Sequence, residues 1–376
     1  KYPTVFRSSL TVQKRLKGNW AFSAEGIFTK NIHETKYTNV NILPPTKYSS
    51  PPGARNIYSL NTSPPQIPLT ANGSNPYTGQ IFLLSNNHEQ NGSSYSISFI
   101  TDKTFNYNFF INASYSFGKS MVLFEPSAGT ALYNTQWRQT ETVNGRNFTP
   151  LSVSDVNLSH RIIASVVKKF SYAKNKLATT VTLFYNGQSG SPYSYVYSGS
   201  LVNDNNNREN NDLIYIPTVS DLSGMTFLPK TVGPTTYSPQ QQKDLLNNFI
   251  QHDKYLKKHR GEFAERNGAR LPFTHIVDLR VQQDFKIKIK KKETSFSITY
   301  DVFNFTNMLN KNWGRTYFVN NDNFQIIEFA GYANTATLTP QYKFTHKGTP
   351  YSIQSSTLPG NSARWLSQLG FRINFN

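Results

Sequence analysis

Polar and apolar residues alternate one by one over stretches of about ten residues or more, and this rhythm restricts the chain to β-strands with one greasy and one wet face. The last segment carries it clearly. Trp365, Leu369, Phe371, Ile373 and Phe375 share one side, interrupted by Ser367, while Gln368, Gly370, Arg372 and Asn374 take the other. Val277, Leu279, Val281, Phe285, Ile287 and Ile289 oppose Asp278, Arg280, Gln282, Asp284, Lys286 and Lys288 in the same way. The rhythm recurs at Phe296, Ile298, Tyr300 and Val302, at Val181, Leu183 and Tyr185, and at Phe105, Tyr107, Phe109, Ile111, Ala113, Tyr115 and Phe117. It is present earlier at Phe6, Leu10, Val12 and Leu16, and at Trp20, Phe22, Ala24 and Phe28. The pattern predicts nine strands, near 3–16, 19–30, 93–101, 104–118, 156–170, 177–187, 275–289, 294–304 and 363–375.

The connections alternate too. Short ones at Lys17-Gly18, Asp102-Lys103, 171–176 and 290–293 are interleaved with long ones at 31–92, 119–155, 188–274 and 305–362. Long structureless loops are uncommon in a soluble domain. Tight turns at one end, long loops at the other and apolar-out, polar-in strands are what a transmembrane antiparallel β-barrel requires, because hydrocarbon satisfies no backbone group. A soluble β-sandwich would also alternate, but it has no need of aromatic residues at strand ends beside water. Trp20, Tyr37, Tyr107, Tyr115, Tyr185, Tyr300 and Trp365 fit an interfacial girdle. A complete bacterial barrel has an even number of strands, so nine strands read as the C-terminal portion of something larger, with plug and N-terminal strands lying outside residues 1–376.

Composition excludes several other classes. No run approaches the roughly 18–20 apolar residues of a membrane helix; one of the longest is 162–167. With no cysteine, disulfide scaffolds, thiolate metal sites and cysteine nucleophiles are excluded. The 27 Phe, 22 Tyr and 4 Trp argue against disorder. Residues 1–10 have neither the apolar region nor the cleavage site of a signal peptide. Lys and Arg number 39 against 21 Asp and Glu, a net charge of +18, which suits a polar lumen and loops beside anionic headgroups.

The search for catalytic and metal sites is negative. Gly187-Gln188-Ser189-Gly190-Ser191 hints at a nucleophile elbow, but Ser191 replaces the closing Gly and no strand-turn-helix surrounds it. The histidines at 33, 88, 160, 252, 259, 275 and 346 form no ligand pair, and His252 and His259 read as solvated helix-end residues. The polar run 203–212 offers oxygen ligands, yet Arg208 occupies the position wanted for a turn Gly, so an Asx-stitched loop is preferred to a Ca²⁺ site. The run 286–292 alternates Lys with Ile before its final lysines and reads as a strand end and hairpin rather than a phosphate-binding patch. One helix signal is strong: Ser238 as N-cap, Pro239 at the first helical position and Gln241 closing a capping box. Leu245, Leu246, Phe249 and Ile250 then form one stripe, and a second short helix is expected from Asp253 to Gly261.

Gly187-Gln188-Ser189-Gly190-Ser191-Pro192-Tyr193-Ser194-Tyr195-Val196-Tyr197, followed by Asn211-Asp212-Leu213-Ile214-Tyr215-Ile216-Pro217, resembles the C-terminal barrel half of TonB-dependent outer-membrane receptors of Bacteroidetes, the Oar-like and SusC-like groups above all. Arg260-Gly261, Arg266-Asn267, Arg270-Leu271-Pro272, Asp301-Val302-Phe303-Asn304-Phe305, Asn307-Met308-Leu309-Asn310-Lys311, Trp313-Gly314 and the closing Leu369-Gly370-Phe371-Arg372-Ile373-Asn374-Phe375 extend the likeness over roughly residues 95–376. The chain departs from the family's acidic, Gly-containing stretch ahead of Asn211. The resemblance implies a plugged barrel of about 22 strands at the bacterial outer membrane, with no cofactor. It gives Gly187, Ser189, Gly190, Pro192, Tyr193, Asn211, Asp212, Tyr215 and Pro217 structural loop roles. Arg260, Arg266, Arg270, Asp278, Arg280, Asp284, Asp301 and Arg372 become lumen- or plug-facing candidates, and Phe375 a C-terminal insertion signal. The partners it implies are outer-membrane lipid and lipopolysaccharide, the rest of the barrel and its plug, TonB, and a SusD-type surface lipoprotein or other outer-membrane subunits.

The function expected on these grounds is energy-coupled, non-enzymatic uptake of a bulky glycan, peptide or chelate. The alternative is a structural or assembly role for the same barrel, with loops docking partner proteins. A soluble nucleic-acid binder is disfavoured, since the basic residues are spread over strands and loops rather than gathered in a patch.

Overall fold

The computed structural model describes residues 1–58, 60, 81–87, 90–125, 137, 139–204, 210–289, 292–320, 323–345, 347–353 and 363–375. Nine long strands succeed one another in an antiparallel meander: β1 (Thr4–Leu16), β2 (Trp20–His33), β3 (Ser93–Phe105), β4 (Phe109–Val122), β5 (His160–Tyr172), β6 (Leu177–Gln188), β7 (Thr274–Ile289), β8 (Lys292–Phe303) and β9 (Leu366–Phe375). A tenth, short strand, Ser152–Val153, pairs with β4 off this path.

The register explains the alternation. Val12 pairs with Ala24, Ala24 with Phe99, Phe99 with Tyr115 and Tyr115 with Ile162. Farther along, Val166 pairs with Leu183, Leu183 with Leu279 and Leu279 with Val302. Directly paired residues point to the same face, so the apolar residues of all nine strands merge into one surface. Much of it is open: Leu10 is 72% exposed, Phe99 54% and Phe371 65%. The opposite face carries Ser98, Ser116, Arg280, Asp301 and Arg372.

One turn lies away from its expected place. Asp102 and Lys103 continue β3, pairing with Asn112 and Ile111, and the chain reverses at 106–108 instead. Phe105 and Phe109 pack across the hairpin end with ring centroids 5.1 Å apart, which extends the ladder. Tyr107 and Asn108 then take positive φ angles of 62° and 55° to close it. Tyr107 therefore projects at the tip instead of lying in a strand face. The turns after β1 and β5 fall where expected; that around 290–291 lies outside the described residues.

The closed, plugged transmembrane barrel is not what this chain forms. The sheet order runs from β1 to β9, and these end strands do not pair with each other. Closure requires the first and last strands to join. None of the sheets among the described residues is closed, and no helix is long and apolar enough to cross a membrane, a fact that bears on helices only. TonB-dependent uptake through a plugged lumen needs an enclosed lumen, so the open sheet overturns that function and, with it, the specific identity as an Oar-like or SusC-like receptor half. The alternative loses the barrel it relied on; partner docking by the loops is a separate matter that closure does not decide.

The long connections are not structureless. They gather at one end of the sheet into a cap built on a five-stranded sheet in the order Thr226–Phe227, Pro340–Lys343, Asn323–Tyr332, Pro192–Ser198, Ala269–Arg270. Helices α1 (Val219–Gly224) and α2 (Pro239–His252) complete it, and α3 (Phe305–Leu309) packs against β7. Helix α2 begins as the sequence predicts: the Ser238 side chain accepts from the Gln241 amide, and the Gln241 side chain accepts from the Ser238 amide. Leu246 and Ile250 are fully buried, with Leu245 and Phe249 packed partly buried beside them. The expected second helix is only a 3₁₀ turn, Leu256–Lys258, because Asp253 accepts from the Tyr255 and Leu256 amides and tightens the chain there. Helix α1 went unforeseen, although Thr218 and Asp221 form a capping box at its start.

Candidate binding cleft in the cap

Three of the four long connections send polar side chains into the cap. Arg55 donates to the Leu213 carbonyl at 2.7 Å and lies over the Tyr197 and Phe263 rings. Arg146 forms a buried ion pair with Asp204 and donates to Asn211. Asn211 in turn donates to the Thr140 carbonyl at 2.6 Å. Asp212 accepts from the Leu201 and Val202 amides. Burial, then the nearby Asp204 carboxylate, pushes Asp212 up to about 6. Asp204 and Asp212, two of the oxygen donors considered for Ca²⁺, are therefore engaged with protein groups; 205–209 lie outside the described residues. No metal-holding acid or histidine group occurs among the described residues.

The motif residues of the resemblance lie along this framework. At the end of β6, Gly187 has no Cβ where one would collide with the Tyr185 hydroxyl, which reaches His275 Nδ1 at 2.8 Å. Gly190 passes so close to the Leu271 backbone that a Cβ would overlap it. Ser189 exchanges hydrogen bonds with the His160 backbone, its amide donating at 2.9 Å and its hydroxyl accepting at 3.2 Å. Pro192 opens the cap strand Pro192–Ser198, and the Tyr193 hydroxyl meets that of Tyr195 at 3.1 Å. The Tyr215 hydroxyl donates to Asp221 at 2.9 Å, and the Pro217 carbonyl accepts from Arg260 at 2.9 Å.

The lumen-facing candidates separate into two groups. Arg280, Asp284, Asp301 and Arg372 lie on the polar face of the sheet by register. Arg280 holds Asp301 through two hydrogen bonds, and Asp284 accepts from Gln282 and Ser297 at 2.7 Å each. Asp278, on β7, accepts from the Asn304 amide at 2.7 Å, and Arg372 is exposed on β9. Arg260, Arg266 and Arg270 belong to the cap. Arg270 donates to the Asn157 carbonyl at 3.0 Å. Arg266 donates to the carbonyls of Leu123 and Val122 at 2.9 and 2.8 Å, which ties the segment before β7 to the end of β4. Burial works against its charge, while Glu141, Glu125, Asp155 and Glu34 favour it. Burial, then Asp155, pushes Glu125 of this group up to about 7. Phe375 pairs with Thr294 at the end of β9; its side chain lies outside the described residues.

A cleft of about 870 Å³ opens in the cap. The C-terminal half of α2, the 3₁₀ turn, residues 268–273 and residues 347–351 line it. Aromatic rings, among them Phe249, Tyr255 and Tyr351, alternate there with cationic side chains. Lys254, Lys258 and Lys347 line it, and their ammonium groups make no hydrogen bond or ion pair among the described residues. Asp253 is the carboxylate in the lining, and it is already occupied by the Tyr195 hydroxyl at 2.7 Å and by two backbone amides. His252 and His259, read from sequence as solvated helix-end residues, both reach the cleft. The lysines went unnoticed; the available signal was the interleaving of Lys254 and Lys258 with Tyr255 and His259 within six residues. The cleft is a concave site of ligand-binding size, lined by aromatic rings and cationic side chains.

Comparison with known proteins adds one finding. Residues 1–337 match the family described as "Outer membrane beta barrel domain". No curated protein and no solved structure matches the chain. The family supports an association with the outer membrane. The meander of amphipathic strands described above is thus the local expression of a shared ancestry: the chain belongs to the outer membrane beta barrel domain family.

Proposed function

We propose that the protein is a non-enzymatic docking platform seated at the bacterial outer membrane, its sheet resting against lipid and its cap presented to partners. One observation carries this reading: the apolar side chains of nine strands share one face, and most of its large residues, Leu10, Phe99, Leu369, Phe371 and Ile373 among them, stand exposed. Large exposed apolar surfaces mark contacts with membranes or proteins. The cap complements it, because its polar residues are locked by buried hydrogen bonds and give loops of fixed shape. Fixed loops bind with little ordering cost. A surface lipoprotein or another outer-membrane subunit is the partner such a platform suits.

Flotation tests the reading. The detergent-solubilised chain, mixed with phosphatidylethanolamine vesicles and freed of detergent, should rise with the lipid on a density gradient. The triple variant Leu369→Asp, Phe371→Asp, Ile373→Asp should remain at the bottom. Wild type that stays at the bottom as a dispersed, folded protein would refute the proposal.

A further inference from the structure

The position of the cleft adds to its chemistry. Phe273 lines it and packs against His275 with ring centroids 4.8 Å apart. His275 pairs in register with Gly187 and accepts or donates a 2.8 Å hydrogen bond with Tyr185 on the apolar face. The same device recurs at Tyr115 and His160, also 2.8 Å apart, with ring planes inclined by 23° against 26° for Tyr185 and His275. Aromatic rings with a polar tip favour the boundary between lipid and water. The cleft therefore opens where the apolar face ends.

Resting on the membrane-seated reading, we propose that this cleft binds a phosphorylated saccharide, the chemistry of a glycolipid headgroup. Sugar rings have apolar faces that suit Phe249, Tyr255 and Tyr351. Phosphate oxygens accept charge-assisted hydrogen bonds from Lys254, Lys258 and Lys347. Lys347 is partly buried, and burial together with nearby Lys230 works against its charge while Glu328 favours it; an incoming phosphate would favour it further. A neutral glycan would leave these cations unanswered. An apolar ligand would strip them of water without compensation.

The test uses the full chain in phosphatidylethanolamine nanodiscs, with and without lipid A, a bisphosphorylated glucosamine disaccharide carrying acyl chains. A second arm titrates the same protein in detergent with free glucosamine 1-phosphate. The double variant Lys254→Glu, Lys258→Glu should bind the phosphorylated sugar at least about tenfold more weakly. Lys174→Glu, Lys176→Glu, an equal charge reversal at the exposed turn after β5, should bind as wild type. Binding of lipid A alone identifies the source as a membrane headgroup, and binding of both probes extends the site to free sugar phosphates. Either supports the proposal when it depends on the cleft lysines. No binding, or equal effects of the two double variants, overturns it. Failure to enter the nanodiscs strikes the membrane-seated reading, whereas entry without cleft-dependent binding strikes this inference alone.

Discussion

The sheet and the cap use the same apolar residue types in opposite ways. In the sheet, Leu10, Phe99 and Phe371 stand open on one face. In the cap, Ile214, Leu246 and Ile327 are wholly buried in a single aromatic-rich core with Tyr195 and Tyr197. The polar groups invert with them: Arg280 and Asp301 pair on a broad sheet face, whereas Arg146 and Asp204 pair out of contact with water. The sheet is organised for an apolar neighbour outside the chain, while the cap is organised around its own interior. Substitutions should therefore act very differently in the two regions.

The largest effect is expected from the buried pair. Asp204→Ala removes the carboxylate facing Arg146 in the cap and should destabilise it by about 3–5 kcal/mol. Hydrogen exchange of the 192–198 amides reads this loss directly. The matching change in the sheet, Asp301→Ala, affects a pair whose arginine side chain is 55% exposed, and solvent screening should hold its cost to about 1 kcal/mol or less. Equal costs would erase the distinction.

Next comes truncation of apolar side chains. Leu246→Ala should cost about 2–5 kcal/mol by opening a cavity in the cap core. Leu369→Ala should leave cap stability unchanged, since Leu369 is 57% exposed on the sheet. Urea titration followed by cap tyrosine fluorescence separates the two outcomes.

The sheet was legible because a half-exposed strand writes its structure with a period of two. All nine strands lie close to their expected positions, and the helix signalled by Ser238, Pro239 and Gln241 is present. The cap sheet was not legible, for two reasons. The strand Pro192–Ser198 is buried on both sides, with only its last residue partly exposed, so no alternation survives. It also pairs in parallel with Asn323–Tyr332, more than a hundred residues away, and no local signal announces such a partner. Closure was misjudged because the facing pattern of a strand is identical in an open and a closed sheet. The cleft escaped notice because only the fold brings Lys347 and residues 268–273 beside Lys254 and Lys258.

A pH dependence should follow from Glu125 at the junction of sheet and cap. Its folded value of about 7 exceeds the ordinary value of 4.5, so the folded state holds this proton more tightly than the unfolded one. Its contribution is complete below 4.5, declines as pH rises towards 7 and is constant above that. Glu125→Gln should flatten this part of the stability profile measured by thermal melting. The smallest effect belongs to the α2 cap, where Ser238→Ala should cost about 1 kcal/mol and Ser238→Thr far less, as read by the same melts.

The most direct measurement places nitroxide labels one at a time at Gln368, Leu369, Phe371 and Arg372 of β9 in lipid-reconstituted protein. Collision rates with oxygen, which concentrates in lipid, are compared with those of a water-soluble nickel chelate. An apolar face against lipid gives high oxygen and low nickel accessibility at 369 and 371, and the reverse at 368 and 372. Nickel reaching all four sites alike would contradict it.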